Sequence, residues 1–151
     1  MSGRRQALRT FAICFCIALV GATFYPVSYL AAPAWEVWIV DENGAPVQGM
    51  TVRLSYQHYS VESSGHEQDA ISDLRGHVQF LPRNSSASLA HYIVYSISSA
   101  TAGVHASFGR HGHVFAFGRG LQGSATADGV ITNWTGTPDR MESRIIAVRL
   151  K

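Results

Sequence analysis

Arg110-His111-Gly112-His113 is the stretch of this sequence best equipped for chemistry. Residues two apart on an extended strand share a face, so His111 and His113 could turn two imidazoles toward one metal ion, with His105 nearby as a third donor. Iron or zinc would suit such nitrogen donors. The set is thin, because Gly112 weakens the strand between the two histidines and the next downstream donor at ligand spacing is Asp128. The plainer reading makes these exposed histidines of a loop or edge strand, with no metal and no cofactor.

Aromatic residues offer a second chemistry. Trp38 and Trp134, with Trp35, could form a flat surface for a sugar or another cell-wall ligand, although buried aromatics are the commoner use of tryptophan. Asp41 and Asp73 invite comparison with an acid and base pair. Each, however, opens an Asp-x-x-Gly turn, where a short carboxylate caps its own backbone. No serine lies in a G-x-S-x-G elbow and no glycine-rich loop joins a strand to a helix, so no catalytic residue is assigned.

The elements that would position these residues are mostly strands. Trp35, Val37 and Ile39 alternate with Glu36, Trp38 and Val40, and Val52, Leu54 and Tyr56 share a face of the next run. Between them lies Asp41-Glu42-Asn43-Gly44, a tight turn. A polar stretch from Tyr59 to Gln68 reads as a loop or weak edge, Asp73-Leu74-Arg75-Gly76 as a second turn, and Val78 and Phe80 as a strand ended by Pro82. Arg83 to Ser88 reads as a polar loop. Tyr92 to Ile97, Val104 to Phe108, His113 to Phe117 and Arg144 to Leu150 are further β-branched or aromatic runs, and no helical period is sustained after Leu30. The pattern predicts an all-β, antiparallel Greek-key sandwich over residues 35–151, preceded by one N-terminal transmembrane or signal helix.

That helix is written in charge and hydropathy. Arg4, Arg5 and Arg9 precede a stretch from Phe11 to Ala34 that carries no charge. Positive charge stays on the cytoplasmic side, which sends the rest of the chain outward. Residues 1–10 form the basic region and 11–31 a membrane-spanning anchor, with Pro26 as a kink near its outer end and Tyr25 and Tyr29 in the interfacial zone. The alternative is a cleaved signal, since Ala32-Pro33-Ala34 has the small residues of a cleavage site. Location is therefore the inner or cell membrane, single-pass, with the C-terminal domain facing the periplasm or exterior, or secretion after cleavage.

Size and charge set further limits. At 151 residues and 16.4 kDa there is room for one domain beyond the helix. The net charge of +2 comes from the arginines of the basic region; without those three, nine basic residues face ten acidic ones. The sequence pI of about 8.7 therefore gives no reason to expect nucleic acid. Cys14 and Cys16 both lie in the apolar stretch, so the β domain holds no disulfide.

Two segments resemble a known family. Val40-Asp41-x-x-Gly44-x-Pro46-Val47-x-Gly49-x-x-Val52 and Ser72-Asp73-x-x-Gly76-x-Val78-x-Phe80 are similar to the paired motifs of carboxypeptidase regulatory-like domains, which are transthyretin-like (prealbumin-like) β-sandwiches. The likeness covers residues from about 35 to 88. It implies the sandwich fold and a structural or adhesive module attached to something else. Arg110-His111-Gly112-His113 is similar in order to the R-x-x-H-x-H segment of intradiol ring-cleaving dioxygenases, whose sandwich is related. That likeness implies non-haem iron on the two histidines and two tyrosines, to be drawn from Tyr56, Tyr59, Tyr92 and Tyr95. The sequence departs from that pattern in placing arginine directly beside the first histidine, and in its shorter length. Together these readings predict a membrane-anchored extracytoplasmic module with a structural or interaction role and no catalysis. Its partners are the membrane, through the N-terminal helix, and a protein or cell-wall component. A carbohydrate-binding domain and an intradiol-dioxygenase-like iron enzyme are the alternatives.

Overall fold

The chain forms α1 (Ser2–Phe24), β1 (Val27–Ala32), β2 (Ala34–Val40), β3 (Thr51–His58), β4 (His66–Ile71), β5 (His77–Phe80), β6 (Arg83–Ala87) and α2 (Leu89–Ala100), then β7 (Arg110–Gly118), β8 (Leu121–Ser124), β9 (Thr126–Ala127), β10 (Val130–Ile131), β11 (Arg140–Ile146) and β12 (Val148–Arg149). These elements come from a computed structural model that describes residues 2–127 and 129–150. Alternation dictates the centre of the fold. Trp35, Val37 and Ile39 of β2 are sealed, while Glu36 and Trp38 between them stay partly open. Across from them Val52 and Leu54 of β3 and Val114 and Ala116 of β7 turn inward, and Phe80, Met50, Ile145 and Trp134 complete the apolar filling. At about 25 cal/mol per Å² of apolar surface removed from water, this two-sheet core is the main stabilising element of a domain without disulfides.

One sheet has the order β11-β2-β5 and the other β12-β8-β7-β3-β4. The second is antiparallel throughout. The first is mixed, because β11 runs parallel to β2 from Arg140 beside Ala34 to Ile146 beside Val40. This corrects the all-antiparallel expectation: β11 returns only after β3, β4, β7 and β8 of the second sheet have been laid down, and so pairs with β2 in the same direction instead of as a hairpin partner.

The two Asp-x-x-Gly turns are built alike. Asp41 Oδ1 accepts from the N–H groups of Asn43 and Ala45, and Asp73 Oδ1 accepts from those of Arg75 and His77, at 2.8–2.9 Å. Gly44 and Gly76 both take left-handed backbone, at φ +83° and +71°. Ser72 ties the turns together, donating to the Val47 carbonyl and accepting from the Met50 N–H.

Four stretches differ from the sequence reading. The N-terminal helix ends at Phe24 instead of reaching residue 31, since Pro26 can neither donate nor continue the turn. Residues Val27–Ala32 are instead strand β1. Its partner is β6, the stretch expected to be a polar loop, and the two form an antiparallel ribbon from Val27 beside Ala87 to Ala32 beside Arg83. Tyr92 to Ile97 lies within helix α2, where the Ser88 side chain caps the His91 N–H at 3.3 Å and overrides the strand preference of Ile93, Val94 and Ile97. Val104 to Phe108 is a short 3-10 turn at Gly103–His105 followed by irregular chain.

Candidate functional site

β7 places His111 and His113 on its outer face, two residues apart, with buried Gly112 between them. Their surroundings differ. A His111 ring nitrogen lies 2.9 Å from the Phe108 carbonyl, with Tyr59 edge-on at 5.2 Å, whereas His113 stacks on Phe115 at 5.9 Å. His105 sits in the exposed 3-10 turn, and Asp128 lies outside the described residues. The other tyrosines considered for iron face other histidines: Tyr56 against His66, Tyr92 against His58, Tyr95 against His91. Among the described residues no three histidine, cysteine or carboxylate side chains come together as a metal site. No step through iron or zinc is derived from this geometry.

The aromatic surface is divided as well. Trp134 has no exposure at all; its indole N–H donates to the Pro138 carbonyl at 2.8 Å and its backbone pairs with Gly112. It belongs to the core, which corrects its expected place on a binding face. Gly112 lies directly beneath the indole, where a Cβ would stand in van der Waals contact with the ring at 3.4 Å. Trp38 does lie on the outside of its sheet, tilted against His77 at 5.1 Å. The hollow beside it, lined by Trp38, Val40, Arg75 and Arg144, holds about 270 Å³, just under the roughly 300–1,000 Å³ of small-molecule sites.

What the fold does bring together is a set of polar side chains at the end of the sandwich nearest α1. β1 supplies Tyr29, β3 supplies His58, the following turn Ser60 and Glu62, and α2 supplies Tyr92. Glu62 accepts from the Tyr29 hydroxyl at 2.8 Å and from the His58 N–H at 2.7 Å. The His58 ring is buried with Tyr29 edge-on at 5.0 Å and Tyr92 edge-on at 5.3 Å. Its Nδ1 accepts from the Ser60 N–H at 3.3 Å, which leaves the proton on Nε2, facing the Tyr92 hydroxyl at 3.3 Å. Arg110 reaches from β7 to the Leu30 carbonyl at 3.3 Å. Burial and the Glu62 carboxylate hold the Tyr29 phenol protonated, pushed up to about 12. These donors and acceptors are committed to one another, so the cluster fastens β1, β3 and α2 together.

Sequence reasoning did not single out this cluster, although a signal was present. Val52, Leu54 and Tyr56 define the inward face of β3, and the same period of two puts His58 on it. Burial, reinforced by the Arg110 charge, pulls the His58 imidazole below its ordinary value of 6.5. The unfolded chain therefore takes up that proton first. Stability from neutral His58 is full above the unfolded value and is lost as pH falls toward and through the lower folded one. Thermal melts of the wild type at about pH 7.5 and about pH 5 should show a lower Tm in acid, and His58→Gln, which cannot charge, should show a smaller drop. An equal drop in both proteins would remove His58 as its source.

No protein-family model matches the chain, and no curated protein matches it.

Proposed function

We propose that this chain is a single-pass membrane protein whose β-sandwich, of the carboxypeptidase regulatory-like kind, stands on the outer face of the membrane as a non-enzymatic structural or interaction module. The observation that carries the reading is the junction between α1 and the domain. Gln6–Phe24 is an apolar run of 19 residues with mean hydropathy 2.0 and no part of it buried in the protein, long enough to cross a hydrocarbon core of about 30 Å. Two residues later the chain enters β1, whose Ala31 and Ala32 are buried, whose Leu30 packs on the core, and whose ladder completes β6. Cleavage after Ala34 would strip that strand from the domain along with the Tyr29 to Glu62 hydrogen bond. A retained anchor leaves it in place, and the arginines before the helix set the direction.

Fractionation of cells expressing the chain with a C-terminal tag tests this. The full-length species is expected in the membrane fraction, extracted by detergent and not by carbonate. A soluble species shortened by roughly 34 residues would overturn the anchor.

A further inference from the structure

Helix α2 is amphipathic in the opposite sense to a helix covering a soluble domain. The stripe it turns toward the sandwich is made of hydroxyl-bearing residues, with Tyr95, Ser96 and Ser99 partly buried and Tyr92 44% exposed. Two of them are bonded there, Tyr92 to His58 at 3.3 Å and Ser99 to the Tyr59 carbonyl at 2.9 Å. The opposite stripe, Leu89, Ile93, Val94 and Ile97, is aliphatic and faces outward, half or more exposed at every position. A surface helix in water normally shows the reverse distribution.

Three further observations say what covers that stripe. From Asn84 to Gly109 the sequence carries no Asp, Glu, Lys or Arg. The turn that follows α2 continues the apolar surface, with Val104 97% exposed and Phe108 about half exposed. And α2 leaves the β1–β6 ribbon at the same end at which α1 enters it, since Val27 pairs with Ala87, so the two helices touch, and Phe24 at the end of α1 and the following Tyr25 and Val27 are exposed apolar or aromatic residues as well. At about 1.5 Å per residue, twelve residues reach about 18 Å, too short to span a bilayer but suited to lying along its surface.

We propose that α2 is a second membrane element, lying in the outer interfacial layer with Leu89, Ile93, Val94 and Ile97 among the acyl chains and its hydroxyl stripe on the sandwich. Val104 and Phe108 dip in beside it. The occupant of the stripe is lipid, and with no basic residue in the segment the attachment needs no anionic headgroup. This inference rests on the reading of α1 as a retained anchor. The domain then sits flush against the bilayer, held at two points instead of swinging from one.

The test uses the full chain carrying Cys14→Ala and Cys16→Ala, reconstituted in phosphatidylcholine vesicles. Single cysteines are introduced one at a time by Ile97→Cys, Val104→Cys, Leu19→Cys in α1, and Leu74→Cys in the exposed turn at the far end of the sandwich, and each is labelled with an environment-sensitive fluorophore. Labels at 97, 104 and 19 are expected to emit blue-shifted light and to lose most of it when doxyl-labelled phosphatidylcholine is included; the label at 74 is expected to do neither. Water-like emission at 97 and 104 with lipid-like emission at 19 overturns the inference and leaves the anchor standing. Blue-shifted emission at 97 that doxyl lipid does not quench also overturns it, since a second copy or another protein then covers the stripe. Water-like emission at 19 overturns the anchor, and the inference with it.

Discussion

Trp134→Ala is expected to destabilise the domain by about 3–5 kcal/mol, the range for removing a large aromatic side chain from a sealed core. The indole is fully buried, lies against Gly112, and donates to the Pro138 carbonyl, so truncation leaves a cavity and removes that hydrogen bond. Trp38→Ala, on the outer face of β2, is expected to cost about 1 kcal/mol or less. Urea midpoints of both variants in the same detergent measure the contrast. Similar midpoints for the two would mean that the Trp134 indole contributes no core packing.

The second large effect belongs to the paired turns. Gly76→Ala is expected to cost about 2–5 kcal/mol, from left-handed backbone that disfavours a Cβ and from overlap of that Cβ with the Ile39 carbonyl. Gly44→Ala has the same backbone requirement but open space around it, and should cost only about 1–2 kcal/mol. The Ile39 carbonyl also accepts from Val47, so a shift at Gly76 disturbs the first turn too. Denaturant unfolding of the two variants separates conformational from steric cost, and equal losses would show that the close approach at Gly76 carries no energy.

These two residues mark where the sequence was readable and where it was not. Asp-x-x-Gly is local chemistry: an acceptor, a tolerant glycine and a departing strand lie within four residues, so both turns and the strands beside them were legible. Trp134 sits in a stretch rich in Gly, Ser and Thr, and its burial comes from pairing with Gly112, more than twenty residues earlier, which no local pattern records. The parallel partnership of β2 and β11 was hidden for the same reason. α2 misled because Ile93, Val94 and Ile97 favour strands, while the signal that decides, Ser88 as a cap, is a single residue. Of the candidate site, His111 and His113 lie in β7, between β3 and β8, where a loop or edge strand was expected, and Trp38 alternates with the sealed Val37 and Ile39 of β2. The Tyr29, His58, Glu62 and Tyr92 cluster needs four separate elements to meet, and only His58 announced its direction through the alternation of β3.

The place of β2 in its sheet bears on how such a chain matures. A strand early in a chain ordinarily finds its partner in the next hairpin. Here β2 sits between β5 and β11, and its parallel neighbour arrives about a hundred residues later. The edge of β2 that pairs with β11 therefore stays open until Arg140–Ile146 is in place. Closing that sheet is a long-range step, joining segments about a hundred residues apart, and it sets β2 apart from the strands whose neighbours are made by hairpins.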